Sequence, residues 1–262
     1  MKIFVYLFLF SVVLSCHEKS YADTISFEYP QNSTMKIQAF NASDDGYFSN
    51  LFYIGPYQAK INVKYFLSPF PPPPIPFKEG ESAKEHDLRV SNYLDSLKTV
   101  INPFFNYHKL NVKNDLRFPM IDSLNNKNFS IVVKQNDTIP LYKKAYGSDS
   151  IKAYKAFPVF IKNISAKTIN FPLATEIGLS ILQSKKWWYI RNNNQMTCGT
   201  GRDKILYIEL KPNEIMAYAI PFFKKGKKNN FRVEFYNIHS QEFELSIDKN
   251  IIIQQRQMIS VE

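Results

Sequence analysis

Two cysteines and four histidines are the residues of this chain best suited to nucleophilic or metal chemistry. Cys198 lies between Thr197 and Gly199, where a thiolate served by His108 or His239 would be a nucleophile. The surrounding residues match no cysteine-peptidase signature, and a free cysteine is more often a small buried hydrophobe. We therefore predict no catalytic cysteine.

The histidines and carboxylates do not have the sequence spacing that is typical of metal ligands or of catalytic acid–base pairs. No HxH, HxxxH or HExxH pair occurs, so a zinc site has no support in the sequence. No two carboxylates stand out as the acid and base of a glycosidase. Glycine motifs that bind phosphates or dinucleotides do not occur either. The sequence therefore predicts no catalytic residue, no metal site and no cofactor.

The other cysteine, Cys16, directly follows an uncharged apolar segment. Lys2 precedes this segment, which runs for 13 residues from Ile3 to Ser15. A helix that crosses a bilayer needs about 20 residues, whereas the apolar region of a secretory signal peptide has this shorter length. The pattern predicts an export signal over residues 1–15.

The segment Val13-Leu14-Ser15-Cys16 resembles the lipobox of bacterial lipoproteins. In that family the signal peptide is cut before the cysteine, whose thiol is joined to diacylglycerol and whose amino group is acylated. Since each buried CH₂ contributes about 0.8 kcal/mol, two or three acyl chains hold a protein stably at a bilayer. The resemblance implies a palmitate-type anchor at Cys16, a lipidated tether over residues 16–24, and a place in the bacterial envelope, at the outer membrane.

A second cleavage site competes with this interpretation. Ser20-Tyr21-Ala22 has the small-x-small pattern of an ordinary signal peptidase site. Cleavage there would release a soluble periplasmic or secreted protein that begins at Asp23. Because His17, Glu18 and Lys19 would separate this site from the apolar segment, we favour lipidation at Cys16.

Asp followed by Ser or Thr and then an aliphatic residue occurs five times and involves five of the eleven Asp residues. The triplet resembles the acceptor motif of a general O-glycosylation system that one group of Gram-negative bacteria uses on exported proteins. The same residue types are also common in turns. The resemblance implies candidate O-glycosylation sites at Thr24, Ser96, Ser123, Thr138 and Ser150.

Trp187 and Trp188 are neighbours in a segment with the composition of a strand. Successive side chains of a strand point to opposite faces, so one indole should enter the core and the other should face outward. An outward indole beside Lys185, Lys186 and Arg191 could stack on a sugar ring. The alternative is an indole shielded by a loop. Both Trp residues are therefore candidate ligand contacts.

The formal net charge of +10 is carried mainly by lysine. Basic proteins bind nucleic acids, anionic lipids or acidic glycans. However, Lys, Asn, Ile, Phe and Tyr are abundant together, as AT-rich coding sequence produces. Arginine, the better reader of phosphates and bases, is not clustered. We therefore interpret the charge as compositional bias and predict no nucleic-acid partner.

Strands are the elements expected to position these residues. Tyr57–Phe66 alternates apolar and polar residues over its length, which is typical of a half-buried strand. From residue 129 onward, strand patterns recur at roughly 10–12-residue spacing, as in an antiparallel sandwich. The predicted strands of this half are Phe129–Lys134, Tyr154–Lys162, Thr168–Leu173, Ile177–Leu182, Trp187–Arg191, Lys204–Lys211, Ile215–Pro221, Asn230–Tyr236 and Glu242–Ile247.

The N-terminal half is predicted to be more irregular. Its other strand patterns are short, and the proline-rich segment 69–76 should be extended polyproline II. Residues 78–89 are charged and resemble a surface loop. One short helix is predicted over Asn92–Ile101, capped by Ser91 and stopped by Pro103. The additional strand patterns are Ile25–Tyr29, Met35–Phe40 and Leu51–Ile54.

Together these patterns predict an all-β, mainly antiparallel protein with one short helix in the middle of the chain. An N-terminal β-rich region over 25–128 should precede a C-terminal β-sandwich over 129–262, similar in size to an immunoglobulin-like module but without its Cys…Trp…Cys spacing. The leading hypothesis is a non-enzymatic, lipid-anchored envelope protein that binds a protein or glycan or has a structural role. The rivals are an exported hydrolase whose site assembles only in three dimensions and a soluble protein cleaved after Ala22.

Overall fold

Short strands dominate the computed structural model of the chain, which describes residues 20–30, 34–40, 50–66, 75–106, 113–115, 123–144, 150–172, 177–191 and 205–259. The class predicted from the sequence, all-β and mainly antiparallel, is confirmed. The strands are β1 (Ser26–Glu28), β2 (Asn50–Gly55), β3 (Lys60–Asn62), β4 (Tyr65–Phe66), β5 (Phe105–Asn106), β6 (Lys113–Asp115), β7 (Phe129–Val133), β8 (Ile139–Lys144), β9 (Ile151–Asn163), β10 (Ile169–Pro172), β11 (Gly178–Gln183), β12 (Lys186–Tyr189), β13 (Ile205–Leu210), β14 (Ile215–Pro221), β15 (Lys227–Phe235), β16 (Ile238–His239) and β17 (Phe243–Ile247).

The central sheet has the order β2-β14-β9-β7, and β8 also pairs with β9. β9 is long enough to hold two partners, because β8 pairs with residues 151–156 and β7 with residues 159–163. β14 lies between β2 and β9, and all seven of its residues are buried. A strand that is buried on both faces must separate two cores.

One face of the central sheet contributes to the C-terminal core, the cluster around Phe157, Phe171 and Phe231. The opposite wall is a second sheet with the order β12-β11-β15, in which β16 and β17 both pair with β15. A third sheet, β10-β13-β6, also contributes. Apolar residues that alternate along these strands therefore share one buried layer. The immunoglobulin-like form of this region stays a prediction.

The other face of the central sheet contributes to the N-terminal core, the cluster around Ile61, Tyr65 and Phe160. Two small parallel sheets, β1-β3 and β4-β5, supply much of its covering. The predicted alternation in Tyr57–Phe66 is reflected in the burial of Ile61, Val63 and Tyr65, although a break at residues 63–64 separates β3 from β4. Because β2 pairs with β14, the hydrogen bonding of the central sheet crosses the expected boundary at residue 128.

Two α-helices, α1 (Ala83–Ile101) and α2 (Lys249–Ile259), and a short 3₁₀ helix over Tyr21–Thr24 accompany the strands in the described ranges. The predicted helix Asn92–Ile101 lies within α1, but the loop predicted over 78–89 was wrong from Ala83 onward, and α2 was not predicted. The Ser82 hydroxyl accepts from the Glu85 backbone N–H at 3.4 Å, and the Glu85 carboxylate accepts from the Ser82 backbone N–H at 2.9 Å. This reciprocal capping box begins α1 well before Ser91. The helix does end ahead of Pro103, as predicted.

Neither helix meets the requirements for crossing a bilayer. Charged side chains are distributed along α1, and α2 has 11 residues. Among the described residues, no helix is both long and apolar enough to span a membrane.

Candidate functional site

The Trp187–Trp188 pair lies on β12, which is an edge strand of the second sheet within the described part of the chain. A two-residue turn joins β12 to β11, and both of its residues, Ser184 and Lys185, have positive φ values of 48° and 64°. This is the backbone twist that tight antiparallel hairpins require. The turn sets a register in which Trp188 pairs with Ile181 and Trp187 with Leu182.

Trp187 shares the outer face of the second sheet with Ser180, Arg232 and Glu234, because residues paired across antiparallel strands point to the same side. The Arg232 guanidinium lies 4.5 Å from the centroid of the Trp187 ring, within the range of a cation–π contact. The same guanidinium forms an ion pair with Glu234. The buried Ser180 hydroxyl donates to Glu234 at 2.6 Å. One face of the Trp187 indole is thus already occupied by the protein.

Trp188 lies on the opposite side, beside a groove between β12 and α2, and 41% of its surface is exposed. The enclosed volume of this groove is about 20 Å³, hardly more than one water molecule requires. Sites that enclose small molecules are more than tenfold larger. The groove is therefore a shallow surface that suits an extended ligand. It is lined by Ile181, Gln183, Ile190, Ile247, Ile251 and Gln255.

Gln255 fixes α2 against the end of β12. Its amide oxygen accepts from the Arg191 backbone N–H at 2.8 Å, and its amide nitrogen donates to the Arg191 carbonyl at 2.8 Å. A primary amide has two N–H groups and two acceptor lone pairs. Among the described residues the amide has no further partner, which leaves one N–H and one lone pair for a ligand at the groove. This residue was missed from the sequence, because 64 positions separate the partners and α2 was not predicted.

The structure separates the two indoles as expected but buries neither completely. Trp187 is half-buried on the outer face, and Trp188 is on the core side of β12 yet exposed. The expectation that one indole would enter the core was wrong, because β12 is at the edge of the second sheet in the described part of the chain and Trp188 is not covered there. Covering of Trp187 by Arg232 was not foreseen either, because Trp187 lies on β12 and Arg232 on β15, and only the registers of both strands with β11 bring them together.

The five candidate O-glycosylation sites differ in the state of their hydroxyls. Thr24 donates to the Tyr21 carbonyl at 3.1 Å and lies 2.5 Å from the Tyr57 hydroxyl, and Ser96 donates to the Tyr93 carbonyl within α1. Ser123 is half-buried, and Ser150 is exposed just before β9. Thr138 is exposed in the β7–β8 loop, and its hydroxyl has no hydrogen-bond partner in the described part of the chain.

The residues considered for nucleophilic or metal chemistry are not brought together where the structure describes them. Cys16, Cys198, His17 and His108 lie outside the described residues. Nowhere in the described ranges do three His, Cys, Asp or Glu side chains approach closely enough to hold a metal ion. His239 is on β16, at the far side of the second sheet from β12.

His86 belongs instead to a contact between α1 and the end of the proline-rich segment. Its Nε2 lies 2.8 Å from the Ile75 carbonyl, and its ring stacks on Phe77 with centroids 3.8 Å apart. Arg89 donates to the Pro76 carbonyl at 2.8 Å. Hydrogen bonding from Arg89 lowers the pKa of Glu81 to about 2. Of the segment 69–76, only Ile75 and Pro76 are described, and these contacts give them a structural role.

The chain matches no protein-family model, no curated protein and no solved structure.

Proposed function

We propose that this chain is a lipid-anchored protein of the bacterial envelope that binds a glycan at the Trp188 groove without transforming it. The observation that carries the proposal is the exposed indole of Trp188 on an edge strand beside a shallow apolar groove. Exposed Trp residues are costly to leave in water and are enriched where proteins bind ligands.

The chemistry of the groove fits a sugar ring. One face of a pyranose carries mainly C–H groups and can lie flat on an indole, while the hydroxyls at its edge need hydrogen-bond partners. The Gln255 amide, which retains one N–H and one lone pair, is placed at the groove to supply them. Since Arg191 holds this amide in position, little conformational entropy is lost on binding.

Binding of immobilised glycans by the full-length protein tests the proposal. We expect Trp188→Ala to weaken binding at least about tenfold, as removal of a central aromatic contact does. Tyr236→Ala is the matched control, because Tyr236 is 43% exposed but lies away from the groove. Equal effects of the two substitutions, or no binding to any glycan, would contradict the proposal. Release of shortened sugars would favour the hydrolase alternative instead.

Attachment through Cys16 is tested in the native host. Because the thioether to diacylglycerol requires a sulfur atom, we expect Cys16→Ser to lose incorporation of labelled palmitate and to leave the membrane fraction. The mass of the mature wild-type amino terminus distinguishes the two cleavage sites. A chain that begins at Asp23 would support the soluble periplasmic or secreted alternative.

Among the candidate O-glycosylation sites, we propose Thr138 as the one modified, because it is exposed and its hydroxyl has no hydrogen-bond partner among the described residues. Intact-mass measurement of protein from the native host should show added sugar on the wild type and less on Thr138→Ala. Ser96→Ala serves as the control, since the Ser96 hydroxyl is engaged inside α1. An unchanged mass for Thr138→Ala would reject this site.

A further inference from the structure

Lysines from three separate segments meet at one end of the second sheet. The first pair, Lys185 and Lys186, lies at the β11–β12 turn. A run of Lys224, Lys225, Lys227 and Lys228 precedes and begins β15, and Lys249 begins α2 after β17 ends. We call these seven residues the lysine end.

Strand register places these segments side by side. β11 runs antiparallel to β15, and Ile181 pairs with Phe231, so β11 reaches its turn where β15 begins. On the other side of β15, Lys227 pairs with Ile247, the last residue of β17. The β11–β12 turn, the start of β15 and the end of β17 are therefore at the same end of the sheet.

Gly226 allows the lysine run to lie against the start of α2. A Cβ atom at this position would be 2.0 Å from the Ile247 carbonyl oxygen and 2.6 Å from the Asp248 backbone nitrogen. Any side chain there would force the backbones apart. The glycine within the run thus brings Lys225 and Lys227 close to the helix that carries Lys249.

The charge of the lysine end is almost uncompensated. All seven side chains are exposed. Only Lys228 has a carboxylate partner among the described residues, Glu244 at 3.1 Å. The nearby Asp248 accepts from the Asn250 backbone N–H at 2.9 Å and so begins α2. Like charges held together repel each other, and an arriving polyanion would relieve this repulsion.

We propose that the lysine end binds an acidic polysaccharide, which makes the glycan of the proposed function a polyanion; the inference rests on that function. Across β12, β11, β15 and β17, the lysines span about 14 Å at the usual strand spacing. This exceeds the size of a single anion and suits a chain with repeated charges. Lysine ammonium groups are compact point charges that can bind a carboxylate or sulfate group in many orientations. Because Lys186 is two positions before Trp188 on the same face of β12, the same polysaccharide chain can continue over the indole of Trp188.

The position of the proposed anchor favours a polysaccharide over the membrane to which the protein is attached. The described chain begins near Tyr21, whose ring lies 5.1 Å from the Lys162 ammonium, and Lys162 pairs with Ile215 at the start of β14. The lysine run follows the other end of β14. A strand of this length extends about 20 Å. The lysine end is therefore directed away from the anchored end.

The test compares two triple substitutions in the full-length protein. The first variant removes three charges from the lysine end by Lys224→Gln, Lys225→Gln and Lys227→Gln. The control variant removes the same charge from exposed positions near the start of β14 by Lys127→Gln, Lys167→Gln and Lys211→Gln. Binding is measured to heparin, polygalacturonate and neutral dextran. We expect the first set to weaken binding to the two acidic polymers about tenfold or more and the control set to weaken it less than twofold. Raising the salt concentration should weaken wild-type binding.

Other results would overturn the inference and separate it from the proposed function. An equal loss in both triple variants would mean that net charge alone attracts the polymer. Binding to anionic phospholipid vesicles or duplex DNA that equals binding to heparin would reject the polysaccharide class. If only Trp188→Ala abolishes glycan binding, the proposed function stands and the lysine end has no part in it. If the wild type binds no glycan, both the proposed function and the role of the lysine end are rejected.

Discussion

The two faces of the central sheet are covered in different ways. On the C-terminal side, the covering is made of hydrogen-bonded sheets, and Phe171, Phe231 and Leu245 alternate into the C-terminal core. On the N-terminal side, two-stranded sheets and loops cover the N-terminal core. The comparison shows that one sheet can be the shared wall of a regular and an irregular layer. It also predicts that both layers depend on β9 and β14.

Aromatic contacts hold the irregular layer in place of long strand ladders. Phe27 stacks on Phe160 of β9 with centroids 6.1 Å apart. Tyr65 makes edge contacts with Phe52 at 6.0 Å and with Tyr142 at 6.2 Å. Each such pair contributes about 0.5–1.5 kcal/mol beyond the area that it buries. Short elements can therefore be ordered by side chains where backbone pairing is scarce.

The largest expected effect comes from removing one buried ring on each face of β9. Phe157 belongs to the C-terminal core and Phe160 to the N-terminal core, and both are 0% exposed. Each Phe→Ala substitution should cost about 3–5 kcal/mol of unfolding free energy. Urea unfolding is followed by far-UV circular dichroism and by fluorescence of Trp187 and Trp188, which both lie in the second sheet. Because β9 is shared, we expect both probes to shift together in both variants.

Separate unfolding of the N-terminal layer would contradict the idea that both layers depend on the shared central sheet. If Phe160→Ala moves the circular dichroism transition and leaves the Trp fluorescence transition unchanged, the N-terminal layer unfolds by itself. In that case the two cores are independent units, despite the pairing of β2 with β14.

Alkaline pH should destabilise both sides through buried tyrosines, and burial also raises the pKa of Tyr21 beside the N-terminal core. Burial raises the pKa of Tyr65 in the N-terminal core and of Tyr218 in the C-terminal core. Unfolded tyrosines ionise near pH 10, so the folded state holds more protons above that pH. Stability should be constant below about pH 10 and then fall by up to about 1.4 kcal/mol per pH unit for each tyrosine. Urea unfolding between pH 8 and 11 measures this slope, and a flat profile above pH 10 would contradict it.

Removal of the Tyr65 hydroxyl and removal of the Tyr218 hydroxyl should have different effects on stability. The Tyr65 hydroxyl donates to the Pro140 carbonyl at 2.7 Å, so Tyr65→Phe should cost about 1–2 kcal/mol by leaving a buried carbonyl unpaired. The Tyr218 hydroxyl is buried without a hydrogen-bond partner among the described residues. Tyr218→Phe should therefore change stability by about zero or increase it by up to about 1 kcal/mol. Thermal unfolding at pH 7 measures both effects. A larger loss of stability for Tyr218→Phe than for Tyr65→Phe would contradict this assignment.

Exposed ion pairs should have the smallest effects on stability. Glu28 pairs with Lys60 on the N-terminal side, and Glu244 pairs with Lys228 on the C-terminal side. Glu28→Gln and Glu244→Gln should each change the free energy of unfolding by less than about 0.5 kcal/mol. Glu244→Gln should also strengthen heparin binding, because it frees Lys228. Weaker heparin binding by this variant would count against the lysine end.

Much of the C-terminal half was predictable because period-two burial is a local property of the sequence. The bounds of β14 match the prediction, Ile215–Pro221, and β7, β10 and β13 agree within one residue at each end. Strands in which apolar and polar residues do not alternate were harder to predict. β8 begins with four buried residues in a row and contains Pro140, and it was not predicted. Met35–Phe40 was predicted as a strand but forms only an isolated bridge between Lys36 and Tyr154.

The sequence by itself determined the strand-rich class, the placement of Trp187 and Trp188 on opposite faces of one strand, and the candidate sites at Cys16 and at the five Asp-Ser/Thr triplets. These depend on residue type and on neighbours within a few positions. Only the tertiary structure placed Arg232 on Trp187, Gln255 on Arg191, and three lysine segments at one end of the second sheet. Strand register decides such contacts, because charge and packing depend on distance in space, which the order of residues along the chain does not specify.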